Sequence, residues 1–215
     1  MRCYNTFPTQ IWIGETSDID NEVLSKLILE KEKTEPNTVL SNSGGWQSAS
    51  DLHVNKSFGY IVDIVANNFK PIYEDHQYVD GMGLHVSALW ANVNRKTNFN
   101  TQHLHSHCDW SFCYYVKAPE NCGPIIFVDP RVRRMMRPPG RLLKHQGEWD
   151  NNSPSLFDEY RVDAKEGKLI IFPSWLEHSV EPNSSDEPRI SMSGNILLGI
   201  KVFPEDLAFP NLEMQ

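Results

Sequence analysis

A chain of 215 residues with 40% hydrophobic and 22% charged content can bury a sizeable core without disulfide or metal staples. Its 28 acidic and 20 basic side chains give a net charge of −8, which argues against a generic nucleic-acid binder that must neutralise phosphates. No run approaches the roughly eighteen apolar residues of a membrane span, and Met1 to Gln10 lacks the apolar stretch of a signal peptide. The four cysteines, Cys3, Cys108, Cys113 and Cys122, form no Cys-x-x-Cys pair. The expectation is a cytoplasmic protein with free thiols and no membrane partner.

The first predicted element is a short edge strand over 8–15, with Ile11 and Ile13 alternating against Gln10 and Trp12. A helix follows from Asp18 to Lys33, capped by Ser17 or Asp18, with Ile19, Val23, Leu24, Leu27 and Ile28 as its apolar stripe and Pro36 beyond its end. Residues 41–48 read as a loop by composition, with Trp46 as a packing plug. A second helix is predicted from Phe58 to Phe69, capped by Ser57 and stopped by Pro71. The period then changes to two, giving candidate strands 84–93, 101–107, 110–117, 124–128, 158–163, 168–172, 176–181 and 188–199. Many short strands separated by turn formers predict a β sandwich or barrel, with both helices on one sheet face. A single domain over 1–215 is expected, with residues 1–80 as an N-terminal helical elaboration and 81–200 as the β core.

The most informative pattern begins in the candidate strand 101–107. His103, His105, His107 and Asp109 fall at every second position, so an extended chain sends all four to one face. Imidazole and carboxylate are the usual ligands of Fe(II) and related divalent metals. Alternate residues on a strand are about 6.6–6.8 Å apart, and residues four apart about 13 Å. Only one adjacent pair of a straight ladder can therefore share an ion: His103/His105, His105/His107 or His107/Asp109. Ligand chemistry prefers the last, which completes a two-histidine, one-carboxylate triad.

Further on, His178 and Arg189 flank a polar segment, Glu181 to Glu187, that reads as a hairpin loop. They are expected on neighbouring antiparallel strands facing one cavity, with Ser191 on the same face as Arg189. An arginine aimed into a sandwich is costly unless an anion meets it. A dicarboxylate would, through a bidentate pair. Arg131, Arg133, Arg134, Arg137 and Arg141 form a separate basic stretch interrupted by Pro138-Pro139-Gly140. It is expected to be either a solvated loop or a rim that attracts anionic substrates.

His-x-His at 103–105, Tyr114-Tyr115, Gly-Lys-Leu-Ile-Ile-Phe-Pro-Ser-Trp-Leu-Glu-His at 167–178 and Arg-Ile-Ser-Met-Ser-Gly-Asn at 189–195 resemble, in that order, the Fe(II)/2-oxoglutarate-dependent dioxygenases. The resemblance spans about residues 88–198. It implies a mainly β fold with N-terminal helices, a double-stranded β-helix (jelly roll, cupin-like) holding iron in its mouth. It implies Fe(II) as cofactor, 2-oxoglutarate (2OG) as small-molecule co-substrate, and O2, with oxidation of a prime substrate that the motifs do not name. Position by position, His103, His105 and His178 become the metal ligands, and Arg189 the grip on the distal carboxylate of 2OG. Ser191, the Tyr114 hydroxyl and Asn92 assist, and Asp129-Pro130-Arg131 becomes a structural corner.

Ser106 and Ser111-Phe112 depart from the family's proline and Ser-Gly. The second ligand is histidine where well-studied relatives carry aspartate. His103/His105 also leaves enough chain for a turn before the tyrosines, which His107/Asp109 does not. The reading is thus a three-histidine site, with His107 and Asp109 behind it or facing substrate. The alternative is a non-catalytic cupin-like metal- or ligand-binding protein, which has no need of Arg189.

Overall fold

The computed structural model describes residues 1–2, 7–17, 19–131 and 159–200. Beyond Arg131, the arginine-rich stretch lies outside the described residues.

Eleven strands and two helices follow one another as β1 (Trp12–Glu15), α1 (Asn21–Thr34), β2 (Asn42–Ser43), β3 (Trp46–Gln47), α2 (Gly59–Asp75), β4 (Met82–Asn94), β5 (Phe99–His103), β6 (Trp110–Lys117), β7 (Ile125–Val128), β8 (Glu159–Val162), β9 (Lys168–Pro173), β10 (His178–Val180) and β11 (Arg189–Ile200) among the described residues. They build a six-stranded sheet, β1-β9-β6-β11-β4-β3, and a five-stranded sheet, β2-β5-β10-β7-β8. Every strand pair within them is antiparallel. The result is the jelly roll that the sequence predicts.

Strand alternation divides the core in two. Phe112, Tyr114 and Val116 of β6, with Leu169 and Ile171 of β9, pack with Leu24 and Ile28 of α1 and with Ile61, Val65, Phe69 and Ile72 of α2. Cys113 and Tyr115 of β6, with Ile170 and Phe172 of β9, point the other way, toward Phe127 and Leu176. Each large side chain buried this way contributes roughly 1.5–3 kcal/mol. The helices therefore cover the outer face of the larger sheet and leave its inner face for the site.

Several expectations need correction. On β1, Trp12 and Gly14 turn toward the helices, and Ile13 is exposed. The first helix is capped by Asp20, whose carboxylate accepts from the Val23 N–H at 3.0 Å, rather than by Ser17 or Asp18. The loop at 41–48 holds the two short strands β2 and β3, with Trp46 buried and its indole N–H on the Glu35 carbonyl. Ser57 does not cap α2; it belongs to a 3-10 turn, and its N–H donates to the Asn55 side chain. Helix α2 also runs through Pro71 to Asp75. Pro71 is exposed, while Ile72 beyond it is fully buried. That burial offsets much of the cost of about 3 kcal/mol for an interior proline.

Two corrections bear on the site. His178 and Arg189 are not on neighbouring strands; they face each other from opposite sheets. The segment between them crosses the sandwich edge, pinned by buried Asn183, whose amide donates to the carbonyls of Asn94 and Glu187. In addition, β5 ends at His103, and His107 takes a left-handed backbone (φ 61°). The four-residue ladder is therefore broken after its first member.

Candidate active site

His103 closes β5 and pairs in register with His178 of β10. His105 follows two residues later, its backbone N–H anchored on the Ser174 carbonyl at 2.9 Å. These three imidazoles offer nitrogens that all lie within 4.8 Å of one another, the metal-sized cluster found among the described residues. His107 and Asp109 are not in it. His107 is exposed, and the Asp109 carboxylate accepts from the Leu198 N–H at 2.7 Å, tying the turn to β11.

Each imidazole is oriented through Nδ1. That of His103 meets the Thr101 carbonyl at 2.7 Å, and that of His178 the Leu176 carbonyl at 2.9 Å. That of His105 meets Asn195 Oδ1 at 2.6 Å and Ser111 Oγ at 3.0 Å. A carbonyl acceptor fixes the proton on Nδ1, so Nε2 keeps the lone pair that a metal takes. Burial lowers the pKa of all three, and that of His178 falls to about 3, with the neighbouring His103 as a lesser cause. Neutral imidazole is the form that coordinates a metal.

Behind the histidines lies a cavity of about 610 Å³ between the sheets, a size suited to small molecules. Its floor is a set of cross-strand rows. Ser191 of β11 pairs with Tyr115 of β6 on one side and with Asn92 of β4 on the other. Arg189, 2% exposed, stands next to this row on β11. Its Nη1 donates to the backbone carbonyls of Cys122, Gly123 and Glu181. Its Nη2 is buried without a partner, as are the Tyr115 hydroxyl and Asn92 Oδ1. No carboxylate among the described residues pairs with Arg189. Buried polar atoms left open in this way are costly unless a ligand meets them. A carboxylate lodged there would satisfy both Arg189 and Tyr115, whose phenol burial holds far above its ordinary range and hence protonated.

Of the residues named from the sequence, His103, His105, His178, Arg189, Ser191 and Asn92 all line this cavity. Tyr114 does not: its hydroxyl donates to Asn21 of α1 at 2.8 Å, on the helix side of the sheet. Alternation on β6 places Tyr115 inside instead. Asn195 and Ser111, which hold His105, were not identified from the sequence. Asn195 shares the parity of Arg189, Ser191 and Ser193 on β11, a signal that could have found it.

Comparisons with known proteins agree with this architecture. No curated protein matches the chain in sequence. Among solved structures, a prolyl-4-hydroxylase of Pseudomonas putida superposes with a TM-score of 0.57 at 13% identity, covering 88% of this chain and 92% of that one. The viral collagen prolyl hydroxylase of Paramecium bursaria Chlorella virus-1, solved with 2OG, gives 0.53 at 14% identity, with coverage of 86% and 94%. HygX of Streptomyces hygroscopicus, solved with nickel and 2OG, gives 0.52 at 11% identity, with coverage of 87% and 82%. At these identities the likeness is one of fold. The sequence model of the 2OG-Fe(II) oxygenases matches residues 88–195, from the cavity face of β4 to Asn195. The chain therefore belongs to the 2OG-Fe(II) oxygenase family, oxidoreductases that use Fe(II), 2OG and O2.

Proposed function

We propose that His103, His105 and His178 hold Fe(II) as a three-histidine site, and that Arg189 binds the distal carboxylate of 2OG beside it. The observation that carries this reading is the pairing of three convergent neutral imidazoles with a buried guanidinium nitrogen that has no partner, in one cavity. Bound iron supplies the oxidative chemistry that couples breakdown of 2OG to succinate and CO2 with oxidation of a substrate. The chain's own residues do the rest. The Nδ1 acceptors hold each ring so that Nε2 faces the metal position. The Tyr115 hydroxyl and Ser191 add hydrogen bonds to the carboxylate that Arg189 grips, and Asn92 faces the same pocket. Phe172 and Phe127, packed against His178, exclude water behind the site.

In this reading the reaction is hydroxylation of a protein side chain or a small metabolite. The prolyl hydroxylases among the structural neighbours support it by fold. The chain acts as a single domain, because residues 1–80 contribute β1, β2 and β3 to both sheets of the 81–200 core. Among the described residues no helix is long and apolar enough to cross a membrane.

The test is succinate formation from 2OG on addition of Fe(II), in wild type and Arg189→Lys. Lysine keeps the charge and loses the planar fork. Loss of a charge-assisted hydrogen bond is worth about 1.5–3 kcal/mol, so the 2OG requirement should rise roughly ten- to a hundredfold. Iron affinity should stay unchanged. A collapse of iron binding with an unaltered 2OG requirement would make Arg189 structural and favour a binding protein.

A further inference from the structure

The family match begins at residue 88, yet one wall of the cavity comes from chain before it. Leu40, Ser41, Gln47 and Ser50 line that wall, where the chain passes from β2 in the smaller sheet to β3 in the larger. Gln47 pairs with Asn92 in register, so it extends the row Tyr115–Ser191–Asn92 toward the sheet edge. It is 3% exposed. Its backbone N–H is taken by Asn37 at 2.8 Å, and its side-chain amide makes no hydrogen bond among the described residues.

Charge is scarce around this wall. Among the described residues the cavity lining carries one permanent charge, Arg189, with no carboxylate and no lysine. Co-substrate binding neutralises that one cation. A charged substrate group lodged against the Leu40–Ser50 wall would then be desolvated with no side-chain counter-ion there, which is unfavourable. On this wall the polar groups are hydroxyl and amide, from Ser41, Gln47 and Ser50, with the apolar surfaces of Leu40, Trp90 and Leu104 and further neutral polar groups on Asn100, Thr101, Ser106 and Ser193 in the same lining.

We propose that the prime substrate enters as an uncharged aliphatic group bearing an amide or hydroxyl, and that Gln47 selects it. The Gln47 amide both donates and accepts, which matches neutral polar groups of that kind. Specificity then resides in the wall from Leu40 to Ser50, while the family-matched core supplies the reaction.

The inference rests on the catalytic reading above, and one experiment on the wild-type chain separates the two. Anaerobic Fe(II) and 2OG should give the visible charge-transfer band of their chelate; absence of the band sinks the catalytic reading, and this inference with it. In air, stimulation of succinate formation is then compared across N-acetyl amino-acid amides of proline, leucine, glutamine, glutamate and lysine, and across glucose, glucuronate and glucosamine. Neutral members should stimulate, and the arm that responds tells a peptide-borne group from a sugar. Gln47→Leu, of similar size, should lower kcat/KM for the best neutral member about tenfold, mainly through KM, as expected for one lost hydrogen-bonding group. Gln47→Glu should shift preference toward the lysine amide or glucosamine. With the band present, stimulation led by glutamate or glucuronate, no stimulation by any neutral member, or indifference to both Gln47 variants overturns the proposal.

Discussion

Tyr114 and Tyr115 are adjacent in sequence yet project from opposite faces of the larger sheet. Tyr114 reaches out to Asn21 of α1, and Tyr115 reaches in toward Arg189. The resemblance to known oxygenases pointed to the first, and the structure places the second on the cavity side. The reason is register. A tandem pair gives no parity of its own, and the pairing of β11 with β6 shifts between Ile190 and Ser191, which aligns Ser191 with Tyr115. No spacing in the sequence carries that shift. By contrast, Arg189 and Ser191 were legible as one face because both lie on one strand two residues apart, and the structure keeps them so. The two tyrosines should separate cleanly on mutation. Tyr115→Phe should weaken 2OG binding by about five- to tenfold, the worth of roughly one hydrogen bond. Tyr114→Phe should leave 2OG affinity unchanged and cost about 1 kcal/mol of stability. Titration of 2OG and urea unfolding of the two variants check this pair of outcomes.

Strand lengths and helix positions were mostly readable from period and punctuation, and β6 spans Trp110–Lys117 as predicted. The failures are places where tertiary burial overrides a local rule. Ile72 carries α2 past Pro71. The break after His103 turns a supposed four-step ladder into two ligand candidates on a bend, with Asp109 recruited to β11. The link between His178 and Arg189 looks like a hairpin in sequence and changes sheets in space, because Asn183 anchors it to the chain after β4. Gly194 marks another tight element. A Cβ there would sit 2.5 Å from the Ala88 carbonyl oxygen and 2.5 Å from Phe112 Cζ. Gly194→Ala should therefore force β11 from β4 and β6, at about 1–3 kcal/mol for overpacking. Because Asn195 follows directly and holds His105, iron affinity should fall along with stability. A variant with the wild-type urea midpoint and full iron would show that β11 yields more easily than this packing implies.

For the molecule as a whole, buried His178 and half-buried His103 and His105 make stability depend on pH. His178 has a folded pKa of about 3 against an ordinary value of 6.5, and His103 and His105 are shifted in the same direction by burial. Between those two values the unfolded chain binds protons that the folded chain refuses. Their contribution is complete above about pH 6.5 and is lost as pH falls toward 3. The urea midpoint of metal-free protein should drop between about pH 7 and pH 5, and His178→Asn should flatten the dependence. A midpoint that rises on acidification over that window would contradict the burial of these rings. Iron, which binds only the neutral imidazoles, should raise the midpoint most near neutral pH.

If iron sits on His103, His105 and His178, the iron content of single alanine variants reconstituted anaerobically with Fe(II) and 2OG will report it. His103→Ala, His105→Ala and His178→Ala should each lose tightly bound iron and the visible absorption of the Fe(II)–2OG complex. Asp109→Ala should retain both, with only the bond to Leu198 lost. Iron retained without His103 and lost with Asp109 would contradict the three-histidine site and establish a carboxylate ligand in its place.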